Sequence, residues 1–68
     1  MSEEVLLRVL RNYVQGMKES RERMKKNLAR FLGVPEEKVE QSRAMRRYKE
    51  YIELMEKSLR ILENDSGV

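Results

Sequence analysis

Cysteine and histidine are absent from the 68 residues, and the chain has only three glycines and one proline. Without cysteine there is no disulfide, no thiol nucleophile and no thiolate metal ligand. Without histidine the chain lacks the commonest general base and the commonest ligand of transition metals. The glycines form no phosphate-cradling loop, and no pair of side chains has a catalytic spacing. These absences predict a protein that is not an enzyme and has no cofactor, metal site or small-molecule substrate.

The chain also lacks the run of about 18 apolar residues that a membrane span requires. It begins Met1-Ser2-Glu3-Glu4 rather than with the basic and then apolar segments of a signal peptide. We therefore expect a cytoplasmic protein that does not enter a membrane. A core in a chain this short supplies only about 3–5 kcal/mol unless disulfides, metals or oligomerisation add to it. Since the first two are absent, oligomerisation is favoured.

One turn signal, Gly33-Val34-Pro35, divides the sequence. Glycine ends a helix in the left-handed conformation, and proline suits the first turn of the next helix. We predict a single domain over residues 1–64, with helix one at 2–32, a turn at 33–35 and helix two at 35–64. Residues 65–68 are expected to form a disordered tail. Whether helix one bends at Gly16 is left open.

Apolar residues recur at alternating intervals of three and four along both predicted helices, which is typical of a coiled coil. The series are Leu7, Leu10, Val14, Met17, Arg21, Met24, Leu28 and Phe31, and then Met45, Tyr48, Ile52, Met55, Leu59 and Leu62. When the chain is folded at the turn, the two series align, with Leu7 opposite Leu62. The predicted fold class is therefore all-α, an antiparallel, coiled-coil-like two-helix hairpin.

Arg21 is the only charged residue in these two series. We expect its guanidinium to lie on the ring of Tyr48, an interaction worth about 0.5–2 kcal/mol, while its charged end reaches water. A polar layer of this kind fixes the register of a coiled coil. The methionines of the two series are expected to fill the core.

A second set of apolar residues lies beside the main series toward the two ends of the chain. A contiguous exposed apolar patch marks an interaction site, and we predict that one forms here. Its residues are Leu6, Val9, Tyr13, Tyr51, Leu54 and Ile61. We expect them to join two copies into a four-helix bundle. Docking of another protein's helix and crowding within a monomer bent at Gly16 are the alternatives.

The net charge of +3 is unevenly distributed. Residues 18–49 hold eleven basic and five acidic side chains, whereas residues 50–68 hold two basic and five acidic ones. The hairpin is therefore expected to have a basic turn end and an acidic terminal end. Two hairpins packed head to tail would place opposite charges side by side.

The basic end also carries an alternative, contact with DNA or RNA, because clustered lysine and arginine attract phosphates. The candidate contacts are Lys25, Lys26, Arg30, Lys38, Arg43, Arg46, Arg47 and Lys49. A solvated charged face, which is normal for a coiled coil, explains the same residues.

Residues 28–39 resemble the helix-turn-helix of repressor-type proteins, with Ala29, Gly33, Val34 and Val39 at the pattern's small, glycine and apolar positions. The resemblance implies a second helix from Pro35 that enters the major groove of DNA. A glycine-ended hairpin turn accounts for the same residues.

In size and plan the chain is similar to plasmid copy-number proteins of the Rop type, which are hairpins that dimerise into four-helix bundles and bind RNA. It is also similar in plan to the hairpin co-chaperones of type III secretion, which pair with another helical protein. Neither likeness includes a distinctive motif. The leading hypothesis is a non-enzymatic regulatory or protein–protein interaction protein, working as a homodimer or with a helical partner. The alternative is a small nucleic-acid-binding regulator that uses the basic turn end.

Overall fold

The computed structural model describes residues 2–65, and over that range the protein is all-helical, without a strand. Its three helices are α1 (Glu3–Leu32), α2 (Glu36–Glu40) and α3 (Arg43–Asp65). α1 and α3 pack against each other, and the molecule measures 47 × 18 × 13 Å. The predicted all-α helical hairpin is confirmed.

Both ends of α1 have capping groups, and Gly33 is the one that the turn signal predicts. The Oγ of Ser2 accepts a hydrogen bond from the N–H of Val5 at 3.3 Å, which satisfies one of the free donors of the first turn. Gly33 ends the helix with φ 67° and ψ 34°, and the N–H of Val34 donates to the carbonyl of Ala29 at 3.0 Å. The helix runs without interruption through Gly16.

The prediction of one continuous second helix over 35–64 is wrong. α2 covers five residues, the chain leaves the helix at Gln41 and Ser42, and α3 begins at Arg43. The Oγ of Ser42 accepts from the N–H of Met45 at 3.3 Å, as a serine does at the start of a helix. Asp65, placed in the tail by the sequence, is the last residue of α3. The rest of the predicted tail, 66–68, lies outside the described residues.

The break between α2 and α3 builds a small core at the turn end. Ala29, Val39 and Met45 are buried together there, and Val34 packs against them. The small side chain of Ala29 lets α2 lie close to α1. At this end of α1 the buried residue is therefore Ala29 rather than Leu28. Leu28, which the coiled-coil series places in the core, is 38% exposed.

Along the rest of the hairpin, one residue in every seven is buried on each long helix. The buried residues are Leu7, Val14 and Arg21 on α1 and Met45, Ile52 and Leu59 on α3. The other half of each predicted series is more open: Leu10, Met17, Tyr48 and Met55 are half-buried, and Met24, Phe31 and Leu62 are exposed. The expectation that the methionines fill the core is therefore wrong for Met24.

Replacing the two glycines of α1 and its end by alanine is expected to change the free energy of unfolding in opposite directions. Gly33 has positive φ, so alanine there would be held in a conformation that costs about 1–2 kcal/mol. Gly16 lies in mid-helix, and alanine is about 1 kcal/mol more favourable there; a Cβ would meet nothing within 4 Å at either site. We expect Gly33→Ala to lower and Gly16→Ala to raise the free energy of unfolding in urea. Shifts of the same sign would contradict this assignment of the turn.

Candidate interaction surfaces

The positions of the seven-residue repeat show which side of each helix faces the other. In α1, Leu7 is written as position a and Leu10 as d; in α3, Leu59 is a and Leu62 is d. On a helix surface, position e lies beside a, and position g lies beside d. Along both helices the a residues up to the turn-end core are buried, while the d residues are half-buried or exposed.

Ion pairs between the helices lie at the e positions. Arg11 Nη2 lies 2.9 Å from Glu63 Oε2, and Lys18 Nζ lies 2.6 Å from Glu56 Oε2. These pairs run along the same side of the hairpin as the a residues. α1 and α3 therefore face each other with their a and e sides. Their d and g sides are left uncovered on the opposite side of the hairpin.

This uncovered surface is called the open face, and it is formed by apolar residues at positions c, d and g of both long helices. It contains Leu6, Val9, Leu10, Tyr13, Met17, Met24 and Phe31 of α1 and Tyr48, Tyr51, Leu54, Met55, Ile61 and Leu62 of α3. Nine of these thirteen residues are exposed, and the other four are half-buried. The c and g positions nearer the turn hold polar residues instead, so the apolar part of the open face is widest toward the termini; these polar residues are Ser20, Arg23, Asn27, Arg30 and Arg47.

The six interface residues predicted from the sequence all lie on the open face and are 40–61% exposed. Tyr13 and Tyr51 occupy g positions of α1 and α3. Sequence reasoning missed the continuation of this face at the turn end, where Met24 is 41% and Phe31 is 86% exposed.

Arg21 ties the three helices together. Its Nε and Nη2 donate to the carbonyl oxygen of Met45 at 3.3 and 3.0 Å. Its Nη1 donates to Glu40 Oε1 at 3.2 Å, and its Nη2 also bonds Glu40 Oε2. The side chain is 8% exposed, so the expectation that its charged end reaches water is wrong. The carboxylate of Glu40 and a carbonyl supply the partners that water would have supplied.

Lys25 adds a second cation to this cluster. Its Nζ lies 3.1 Å from Glu22 Oε1 and 3.4 Å from Glu40 Oε1, and its side chain is 14% exposed. Hydrogen bonds from Arg21 lower the pKa of Glu40 to about 2, outweighing the opposite effect of burial, and the charges of Arg21 and Lys25 act in the same direction. The pKa of Arg21 is raised, chiefly by its hydrogen bonds to Glu40. Lys25, a candidate nucleic-acid contact, is thus engaged within the hairpin.

The other seven candidate nucleic-acid contacts are exposed but lie in separate places. Arg43, Arg46 and Arg47 line a shallow groove on the outer side of α3 together with Glu50, whose Oε2 is 3.3 Å from Arg47 Nη1. A different depression, around the Gly33 turn, is lined in part by Lys26 and Arg30. The structure therefore brings three arginines together and does not bring all eight basic residues into one site.

The helix-turn-helix resemblance of residues 28–39 is not carried by the local structure. A recognition helix from Pro35 would have to be long enough to lie in a major groove. α2 ends after five residues, and its Val39 is buried against Ala29 and Met45. The residues of this pattern are used to pack the turn of the hairpin.

Within residues 2–65, no three acidic side chains are grouped so that they could hold a metal ion, and no helix is long and apolar enough to cross a bilayer.

Comparison of the chain with protein-family models, with curated proteins and with solved structures finds no match.

The ion pair of the buried Arg21 with the partly exposed Glu40 predicts unequal costs for removing its two members. Glu40→Gln leaves the buried Arg21 charge without its counter-charge, and hydrogen bonds to charged groups contribute about 1.5–3 kcal/mol. Arg21→Met puts an apolar side chain at position a and leaves a carboxylate that is 37% exposed and hydrated. Removing one member of an ion pair is costly chiefly where the charge that remains is buried. We expect Glu40→Gln to lower the free energy of unfolding by about 1–3 kcal/mol and Arg21→Met to lower it less.

Acid provides the control for this prediction. Because the pKa of Glu40 falls from 4.5 to about 2 on folding, its stabilising effect is fully present above pH 4.5. It is lost as the pH falls through 2. In the Glu40→Gln variant, the free energy of unfolding should therefore depend less steeply on pH over this window. An unchanged pH dependence would show that Glu40 does not supply the stabilisation.

Proposed function

We propose that the chain is a non-enzymatic interaction protein that works as a homodimer, with the open faces of two hairpins packed together in a four-helix bundle. The observation that carries this proposal is the sorting of each helix. From Leu7 to Arg21 of α1 and from Met45 to Leu59 of α3 the a residues are buried, and two pairs of e residues form ion pairs between the helices. The c, d and g positions toward the termini expose apolar side chains instead. A regulatory role and a cytoplasmic location are part of the same proposal.

Energetics favour the use of the whole face rather than of single residues. Completing the burial of one half-exposed large apolar side chain contributes about 1 kcal/mol, whereas association costs about 4–15 kcal/mol in lost freedom of motion. The nine exposed side chains of the open face together are comparable with that cost. A partner must therefore cover the open face along both helices.

A second copy meets this requirement better than a single helix from another protein. The open face spans two antiparallel helices, and each contributes a row of d and g residues. A second hairpin presents the same two rows, and a two-fold axis brings identical surfaces together. A single docked helix from another protein would leave part of the face exposed. In that case the isolated chain would remain a monomer and would bind only the other protein.

Polar substitutions on the open face should dissociate the dimer without unfolding the hairpin. Leu54 and Ile61 are 61% and 53% exposed, so Leu54→Gln with Ile61→Gln removes little from the fold of one protomer. We expect the dimer Kd, measured by sedimentation equilibrium, to rise at least about tenfold, the equivalent of about 1.4 kcal/mol.

The matched control is Lys57→Gln with Arg60→Gln, at neighbouring exposed positions on the outer side of α3. It should leave the dimer Kd nearly unchanged. A wild-type chain that sediments as a folded monomer at all concentrations would overturn the homodimer.

The second candidate function is binding of nucleic acid, and the grouping of Arg43, Arg46 and Arg47 supports it. Within the described residues, only Arg47 of these three forms an ion pair. Three guanidinium groups on neighbouring turns of one helix can contact successive phosphates. The intervening Glu50 weakens this site, so it ranks below dimer formation.

Neutralising these arginines tests the second candidate. The triple variant Arg43→Gln, Arg46→Gln and Arg47→Gln should lose most of its affinity for fluorescent duplex DNA and RNA in an anisotropy titration. The remaining affinity should depend less on salt, since fewer counterions are released. The control variant, Arg8→Gln, Lys57→Gln and Arg60→Gln, removes the same charge from the terminal end and should retain binding. Equal losses would show attraction by net charge alone.

A further inference from the structure

We propose that the two hairpins of the dimer lie head to tail and that Phe31 of each protomer packs against the terminal end of the other. This inference rests on the proposed homodimer and specifies its geometry. Three observations carry it: the exposure of Phe31, the apolar surface at the opposite end of the hairpin, and the distribution of charge.

Phe31 is the most exposed large apolar residue of the described chain, at 86%. Along the d positions of α1, exposure rises toward the turn: Leu10 and Met17 are half-buried, Met24 is 41% exposed, and Phe31 is almost fully exposed. The cause is local, because α2 packs on the Ala29 side of α1 and leaves the Phe31 side uncovered. Within one hairpin the Phe31 ring is therefore left uncovered.

The opposite end of the open face offers a surface for this ring. Leu6, Val9, Ile61 and Leu62 are exposed there, at 40–54%. Phe31 cannot reach them within its own chain, because 25 residues of helix separate it from Leu6, about 38 Å at 1.5 Å per residue.

A second hairpin that runs in the opposite direction brings its own terminal end close to Phe31. A two-fold axis near Met17 places Leu10 opposite the partner's Met24. The same axis brings Phe31 to the first turn of the partner's α1, where the terminal apolar surface begins. The row of d residues is then continuous across the dimer, and its most exposed member meets the opposite end of the other chain.

Charge favours the same orientation. The segment 18–49 has eleven basic and five acidic side chains, and the segment 50–68 has two basic and five acidic ones. A parallel dimer would bring two basic turn ends together within about a Debye length of 10 Å at 0.1 M salt. The head-to-tail arrangement places each basic end beside an acidic one.

Distances between spin labels on the dimer test the orientation, and the absence of cysteine makes single labelling clean. Glu36→Cys places a label at the turn end, and Glu19→Cys places one at the middle of α1, on its outer side. In a head-to-tail dimer of hairpins 47 Å long, we expect the two turn-end labels to be far apart. A separation of at least about 35 Å is expected, from the helix rise between the two turns.

A turn-end separation below about 25 Å, as side-by-side helices 8–10 Å apart would give, would overturn the head-to-tail arrangement alone. The Glu19 labels should show a dipolar coupling in either orientation. Loss of coupling at both sites, with a monomer in sedimentation, would instead overturn the homodimer on which the inference rests.

Substitution of Phe31 tests its own role, with Leu32 as the matched control. Both residues are exposed, at 86% and 61%, and their side chains point about 100° apart around α1, so that only Phe31 lies on the open face. We expect Phe31→Ser to raise the dimer Kd at least about tenfold, as loss of a buried aromatic ring does. We expect Leu32→Ser to change it less than about twofold. Equal effects, or no effect of Phe31→Ser, would overturn the assignment.

Discussion

The buried guanidinium of Arg21 is the interaction on which the geometry of the hairpin depends. Its hydrogen bonds to Glu40 and to the carbonyl of Met45 fix the end of α2 and the beginning of α3 against one point of α1. A charge this deeply buried must be paired, because burying an unpaired ion costs several kcal/mol. The chain leaves its helix at Gln41 and Ser42, directly after Glu40, and the Glu40 carboxylate lies against Arg21 of α1. The break in the second arm and the ion pair thus occur at the same point of the chain.

The same requirement affects the sides of the helices that remain exposed. Arg21 occupies an a position, so α3 must lie over the a side of α1, and the e positions next to it become the sites of ion pairs such as Lys18–Glu56. The d and g positions then face away from α3. A hairpin with Arg21 at its centre is in this way rotated off the symmetric arrangement in which a and d share the interface equally. The open face is the consequence of that rotation.

Much of the fold could be predicted from the sequence because its signals are local. Ser2 and Gly33 mark the ends of α1 through hydrogen-bonding and conformational preferences that depend on a few neighbours. The break before α3 could not be predicted, because a coiled-coil series that begins at Met45 fits a continuous helix and a broken one equally well. Ser42 was the only cue to the break. Nor could the exposure of Phe31 be predicted, because an apolar repeat does not say which of its two rows is covered. The predicted partner-contacting residues were located on the open face, but what covers them stays a prediction.

α2 is held to the rest of the chain by two adjacent residues of opposite chemistry. Val39 is buried against Ala29 and Met45, and Glu40 pairs with Arg21 and Lys25. The apolar contact weakens on cooling and is insensitive to acid, whereas the ionic contact weakens when the carboxylate is protonated. Cold and acid thus act on different halves of the same attachment. Either stress by itself therefore weakens one of the two contacts that hold the turn end together and leaves the other in place.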